Sequence, residues 1–179
     1  MFAAVGGAIL IGLVSTLGDF IWATWIPRHR PVYGLTHGAL LCLCIGAYLG
    51  ALVKRTLLGA AAGTLIGLAA AGGYYVLAPL LGYAAMFVQW MALWLLVGLL
   101  DGPVLRPGSR LAGALGRGVT AAVLSGLGFY AISGIWLKPG PGGPHYAYNW
   151  LCWTIALLPG FMALLAFRRD AVRKGSHVA

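Results

Sequence analysis

Apolar residues dominate the chain in six long runs, and most polar positions fall between them. A membrane-spanning helix needs about 20 apolar residues, and every run reaches that length. The pattern predicts helices over about residues 3–26, 32–53, 57–80, 83–101, 110–136 and 148–167. The breaks carry turn and helix-stop signals: Pro27 and Pro31, Lys54-Arg55, Pro79 with Gly82, Asp101-Gly102-Pro103 with Pro107, and the segment from Pro139 to Pro144. Connections this short make neighbouring helices antiparallel. The expected fold class is an all-α polytopic membrane protein, with six transmembrane helices forming three antiparallel hairpins in one domain over 1–179.

The hairpins also resemble one another. Leu10-Ile11-Gly12-Leu13 followed by Gly18-Asp19-Phe20 recurs 55 residues later as Leu65-Ile66-Gly67-Leu68 followed by Gly73-Tyr74-Tyr75. Gly128-Phe129-Tyr130 follows at another 55. On the returning helices His37, Gly46 and Lys54 match Gln89, Gly98 and Arg106 at an offset of 52, and then Asn149, Gly160 and Arg168 at 112 to 114. Repeats over about 5–55, 57–106 and 113–169 predict a pseudo-threefold bundle around a central axis.

Composition confirms the class. The chain is 61% hydrophobic and 8% charged, with mean hydropathy +0.90, against roughly 25% charged in soluble domains. A net charge of +9 would suggest nucleic acid in a soluble chain, but here the cations sit in short loops and at the tail, where they report topology. Two termini on one side group Lys54, Arg55, Arg106, Arg110, Arg117, Arg168, Arg169, Arg173 and Lys174 against Arg28, Arg30 and Lys138, nine against three. That ratio puts both termini in the cytoplasm, makes 168–179 a basic cytoplasmic tail, and suits a multi-pass protein of the plasma membrane. The first run lacks a basic leader, which argues against a cleaved signal peptide. Cys42, Cys44 and Cys152 lie in apolar runs and read as small buried hydrophobes, without a disulfide framework.

Glycine supplies 28 residues. Gly59, Gly63 and Gly67 with Ala71, Gly118, Ala122 and Gly126, and Gly46 with Gly50 form small-residue stripes that let helix backbones approach closely in lipid. None resembles a phosphate-cradling loop.

Asp19 is the most informative polar residue. Seven residues before Ile26, it sits roughly 10 Å below the outer end of its helix, where a carboxylate costs on the order of 3 kcal/mol unless paired. His37 comes to the same depth on the returning helix, so the two are expected to meet. Gln89 and Asn149 occupy the repeat positions of His37, which predicts a polar ring in the outer half. Tyr74, Tyr75, Tyr130, Tyr146 and Tyr148 fall near that level, with His145 just above. Asp19, His37 and His145 could in principle ligate a metal, but no short-spaced His or Cys pair supports one, and no motif identifies a cofactor.

Aromatic residues gather toward the outer face, among them Trp22, Trp25, Trp136, Trp150, Trp153, Tyr33 and Tyr83. Arg28-His29-Arg30 runs against the charge rule there and would suit an anionic headgroup. Pro159-Gly160 is expected to kink the last helix, and Asp101 to pair with Arg106, Arg110 or Arg117. No paired carboxylates and no Ser-His-Asp or Cys-His group stand out, which weighs against an enzyme.

The leading functional expectation is an integral membrane protein that binds or transports a small solute or a proton through the outer polar site. A non-catalytic accessory subunit or assembly factor of a membrane complex is the second, and a membrane-embedded enzyme acting on a lipid-like substrate through Asp19 and His37 the third. The partners implied are the bilayer, a small solute or lipid-like ligand, and a second copy of the chain or a larger membrane complex. Nucleic acid is not among them.

Overall fold

In lipid no water competes for backbone groups, so apolar segments of this length satisfy their own N–H and C=O groups as helices. A computed structural model describes residues 1–26, 31–136 and 146–166. These form α1 (Phe2–Trp25), α2 (Pro31–Ala51), α3 (Thr56–Leu81), α4 (Ala84–Leu99), α5 (Leu111–Trp136) and α6 (Tyr146–Ala166). Six stretches are long and apolar enough to cross a membrane, one in each helix, with that of α4 running on through Val104, as the hydrophobic pattern predicts. The loop cations Arg28, Arg30 and Lys138, the tail 168–179 and His145 lie outside the described residues.

Each helix packs against the next, and α6 packs back against α1, so the six close a ring in chain order. Contacting residues rise along one helix as they fall along its neighbour. Gly46 meets Gly59 and Gly38 meets Gly67 on α2 and α3, while Gly98 meets Gly118 and Gly126 meets Met91 on α4 and α5. These two pairs therefore run antiparallel. The α2–α3 and α4–α5 connections lie at one end of the bundle, together with the start of α1 and the finish of α6. Lys54, Arg55, Arg106, Arg110 and Arg117 make this the basic end. The α3–α4 turn marks the opposite end.

The α2–α3 seam is the tightest contact in the molecule. A Cβ on Gly46 would fall on the carbonyl oxygen of Gly59, and a Cβ on Gly59 on that of Gly46. The same exclusion repeats at Gly63 against Cys42 and at Gly67 against Gly38. The small-residue stripe therefore does what its spacing predicts. It is also nearly all that α3 buries, since the buried positions of that helix are Gly59, Gly63, Gly67 and Ala70. The interior is filled instead by large side chains of α2, α4 and α6, with Ile45, Leu49, Trp94, Val97, Leu157, Phe161 and Leu164 fully enclosed.

The three glycines matched by the repeat do not play one role. Gly46 and Gly98 each admit the backbone of the following helix, whereas Gly160 admits the ring of Trp94. α4 also ends earlier than the pattern predicts. It passes at Leu100–Val104 into a π-helical turn, where Gly102 leaves the helical region and Pro103 has no N–H to donate. Arg106 donates from Nε to the Asp101 carbonyl at 2.7 Å and from Nη2 to its carboxylate, holding the turn closed. Of the three cations considered for Asp101, Arg106 is the one bound.

α6 continues through Pro159 as one helix. The proline leaves the Ile155 carbonyl without its helical donor, and the next carbonyl, of Ala156, accepts the Ser125 hydroxyl from α5. Trp90 of α4 donates in turn to Ser125 at 2.9 Å. Three helices are thus joined by one short polar chain at the level of the proline.

Gly46→Ala or Gly59→Ala is expected to force α2 and α3 apart and to cost about 2–3 kcal/mol, read as a lower thermal unfolding temperature in detergent. Gly116→Ala, where nothing lies within 4 Å of the added carbon, should leave stability unchanged or slightly raised.

Candidate functional site

Asp19 enters the half of the bundle opposite the basic end from α1, and the residues that meet it come from α2 and α6 in pairs four apart. Such spacing puts both members of a pair on one helix face. Tyr33 and His37 form the α2 pair, and Asn149 and Trp153 the α6 pair. Asn149 Nδ2 and Trp153 Nε1 donate to Asp19 Oδ2 at 3.0 and 2.8 Å. The Tyr33 hydroxyl donates to Oδ1 at 3.2 Å, and His37 Nδ1 lies 3.5 Å from the same oxygen. A carboxylate offers about four lone-pair directions. Here three side chains donate hydrogen bonds to it, and His37 Nδ1 makes a fourth, longer approach.

The chemistry of the carboxylate sets the imidazole. His37 turns Nδ1 to the carboxylate, which leaves Nε2 as the ring nitrogen not facing Asp19. The ring is held on both sides, stacked on Tyr33 with centroids 6.0 Å apart and tilted against Trp153 at 5.4 Å. The Asp19 and His37 side chains keep 20% and 17% of their surface accessible, so the pair is mostly enclosed but reachable. One turn toward the basic end, Ser15 shares the face of Asp19. It is buried, and its hydroxyl has no hydrogen-bond partner.

Beneath the cluster the interior is aromatic. Trp153 approaches Trp90 at 6.0 Å, Trp90 meets Trp94 at 6.3 Å, Trp94 meets Phe161 at 5.5 Å, and Phe161 meets Tyr48 at 5.7 Å. Tyr48 ends this column by donating its hydroxyl to the Ala3 carbonyl near the basic end. These rings occupy the path from the polar site to the far side.

The expected site residues divide into two groups. Asp19, His37 and Asn149 come together. Gln89 packs instead over Gly73 on the α3–α4 seam and shares no hydrogen bond with the cluster. Tyr75 packs its hydroxyl on Gly34, with Tyr74 edge-on to it at 5.1 Å. Tyr130 is exposed on the outside of the bundle against Phe87. His145 lies outside the described residues. A recess of about 440 Å³ lined by Lys54, Arg55, Thr56, Leu57 and Leu58 sits at the basic end and shares no residue with the cluster.

Sequence reasoning missed Tyr33, Trp153 and Ser15 as site residues, although a signal for each was present. Each lies four residues from a recognised member, and Tyr33 and Trp153 carry a donor at the tip. In the sequence both belong to the aromatic residues that gather toward one end of the helices, which masks their spacing from His37 and Asn149.

Comparisons with protein-family models, with curated proteins and with solved structures return no match for this chain.

Asp19→Asn should lower stability although it removes only a charge. An amide nitrogen would replace one acceptor oxygen and face two donors, at a cost of roughly 2–3 kcal/mol. Thermal unfolding followed by tryptophan fluorescence would show this. An unfolding temperature equal to that of the unaltered protein would mean that the four donors do not depend on the carboxylate.

Proposed function

We propose that the protein binds a small polar solute or a proton in the outer half of the membrane, with His37 Nε2 as the acting atom. The observation that carries this reading is the Asp19 carboxylate, which accepts three hydrogen bonds and faces His37 Nδ1 at 3.5 Å, so that Nε2 is the imidazole nitrogen turned away from it. With most of its acceptor capacity taken, the role of Asp19 is to orient His37 rather than to ligate a cation. Ser15 adds a buried hydroxyl below. A proton or a neutral hydrogen-bonding molecule suits these groups better than a free metal ion does.

Transport through the bundle requires the aromatic column to part. Trp94 and Phe161 fill the axis, and Pro159 with Gly160 supplies the point on α6 where backbone bonding is already weakened. The protein lies in the plasma membrane with both termini cytoplasmic, a reading supported by the nine-to-three distribution of cations. The polar site then faces the exterior. The three matched hairpins remain a pseudo-threefold arrangement by descent in this reading, with Asn149 and His37 at equivalent positions and Gln89 diverted.

One observation favours a second reading. A carboxylate-oriented imidazole is also the arrangement of a general base, and a lipid-like substrate entering from the outer leaflet could give its proton to Nε2. An enzyme of this kind would act without moving the aromatic column.

His37→Asn separates these roles from simple packing. The shorter amide can donate to Asp19 in place of Nδ1 but supplies nothing at the position of Nε2. Reconstituted into liposomes loaded with a pH indicator, the unaltered protein should carry protons across faster than protein-free membranes. The variant should keep its unfolding temperature within a few degrees and lose most of that flux. Equal flux from both proteins would overturn the assignment of His37. No flux from either would overturn proton transport.

Orientation is tested separately. In a background without the native cysteines, Cys replacing His29 or Gly142 should react with an impermeant reagent on intact cells. Labelling at position 177 instead would reverse the topology.

A further inference from the structure

The basic end holds an arrangement that the Asp19 site does not use. Arg110 stands immediately before α5, where its carbonyl accepts from Ala114 N–H, and Arg117 lies two turns into the helix. Between them lies Gly113. The Arg117 side chain runs back along the helix over this glycine, and its Nη1 is 3.6 Å from where a Cβ would stand. The notch left by glycine thus lets one guanidinium lie back toward the start of the helix, where Arg110 is.

Two further observations say what is missing from this cluster. Arg117 Nε is buried and donates to no acceptor, and the hydroxyl of Ser109, next to Arg110, is also buried without a partner. The Ser109 oxygen lies 3.6 Å from the Cβ position of Gly102, on the π-helical turn that packs against Ala114 of α5. The acid nearest in sequence is already committed, since Asp101 is fully buried and bound by Arg106. The other acid among the described residues, Asp19, belongs to the opposite end. Two cations at the start of one helix, with two unused donors on Ser109 and Arg117, are complementary to an anion with several acceptor oxygens.

We propose that Ser109, Arg110 and Arg117 form a binding site for a phosphate-bearing anion, and that its occupant is the headgroup of an acidic phospholipid. Exposed Leu111 and Leu115 flank the two arginines on the same helix, where an acyl chain would lie. The guanidinium groups supply paired donors to phosphate oxygens, and the leucines supply apolar contact that a free phosphate ion could not use.

The test compares thermal unfolding in bilayer discs of phosphatidylcholine alone, of phosphatidylcholine with phosphatidylglycerol, and of phosphatidylcholine with millimolar inorganic phosphate. The acidic lipid should raise the unfolding temperature by a few degrees, because a ligand that binds the folded state stabilises it. Arg110→Gln with Arg117→Gln should abolish that rise, while Arg55→Gln, at the same end but outside the site, should retain it. If the double variant does not fold, Gly113→Val serves instead, filling the notch with both charges kept, and it should also abolish the rise. A rise in the double variant or in Gly113→Val equal to that of the unaltered protein would overturn the site. Stabilisation by inorganic phosphate to the same extent as by the acidic lipid would support the oxyanion site and overturn the lipid as its occupant.

Discussion

A carboxylate inside an apolar bundle has to be met by donors from its neighbours, and around Asp19 that requirement organises the half of the molecule opposite the basic end. Lipid tails are as apolar as leucine, so helices in a membrane gain little from burying apolar surface against one another. Close packing and hydrogen bonds bring them together. Asp19 draws Tyr33 and His37 from α2 and Asn149 and Trp153 from α6. Those two helices flank α1, and the α1–α6 contact closes the ring. The residue with the chemistry therefore also joins the first helix to the last.

The other half of the bundle is held by a different means. Where α2 meets α3 and α4 meets α5, glycines bring backbones into contact and leave no room for side chains in the seam. The space saved at the seams is matched by large rings inside: Trp94 sits on Gly160, and Tyr48 packs on Gly7. Small residues at one position and indoles or phenols opposite give a dense interior with almost no polar group, in contrast to the outer site. The Trp90–Ser125–Ala156 chain is placed where these two regimes meet. It caps a carbonyl beside the one that Pro159 leaves without a donor, and through the Trp90–Trp153 contact it adjoins the ring that binds Asp19.

The six helices were legible because apolar run length and charged breaks are properties of contiguous sequence. The Asp19–His37 contact was legible for a related reason, since two residues at similar distances from one short turn reach the same depth. The glycine stripe of α3 could be read from spacing, and so could the pairing of Asp101 with a nearby arginine. Rotation about the helix axis was harder to read. A repeat offset can equate His37 with Gln89 in depth, yet it does not determine which neighbour each side chain faces, and Gln89 turns to Gly73. Tyr33 and Trp153 escaped because an aromatic ring with a polar tip suits a membrane interface and a buried carboxylate equally well. Their spacing from His37 and Asn149 was the available evidence. The π-helical turn depends on where Gly102 bends, which hydrophobic pattern does not encode.

The two described acids also show how charge separates the ends of the bundle. Asp19 is met by three neutral donors and an imidazole, with no guanidinium or ammonium beside it among the described residues. Asp101 is met by the Arg106 guanidinium. Each arrangement leaves something over. At the Asp19 end it is the imidazole nitrogen that does not face the carboxylate. At the basic end it is the positive charge of Arg110 and Arg117, which no described acid offsets. An acidic headgroup at the basic end would balance that charge where the helices leave the hydrocarbon, without adding a carboxylate to the chain. The cluster around Asp19 and the cations Arg110 and Arg117 thus stand at opposite ends of the bundle, with an apolar aromatic column between them.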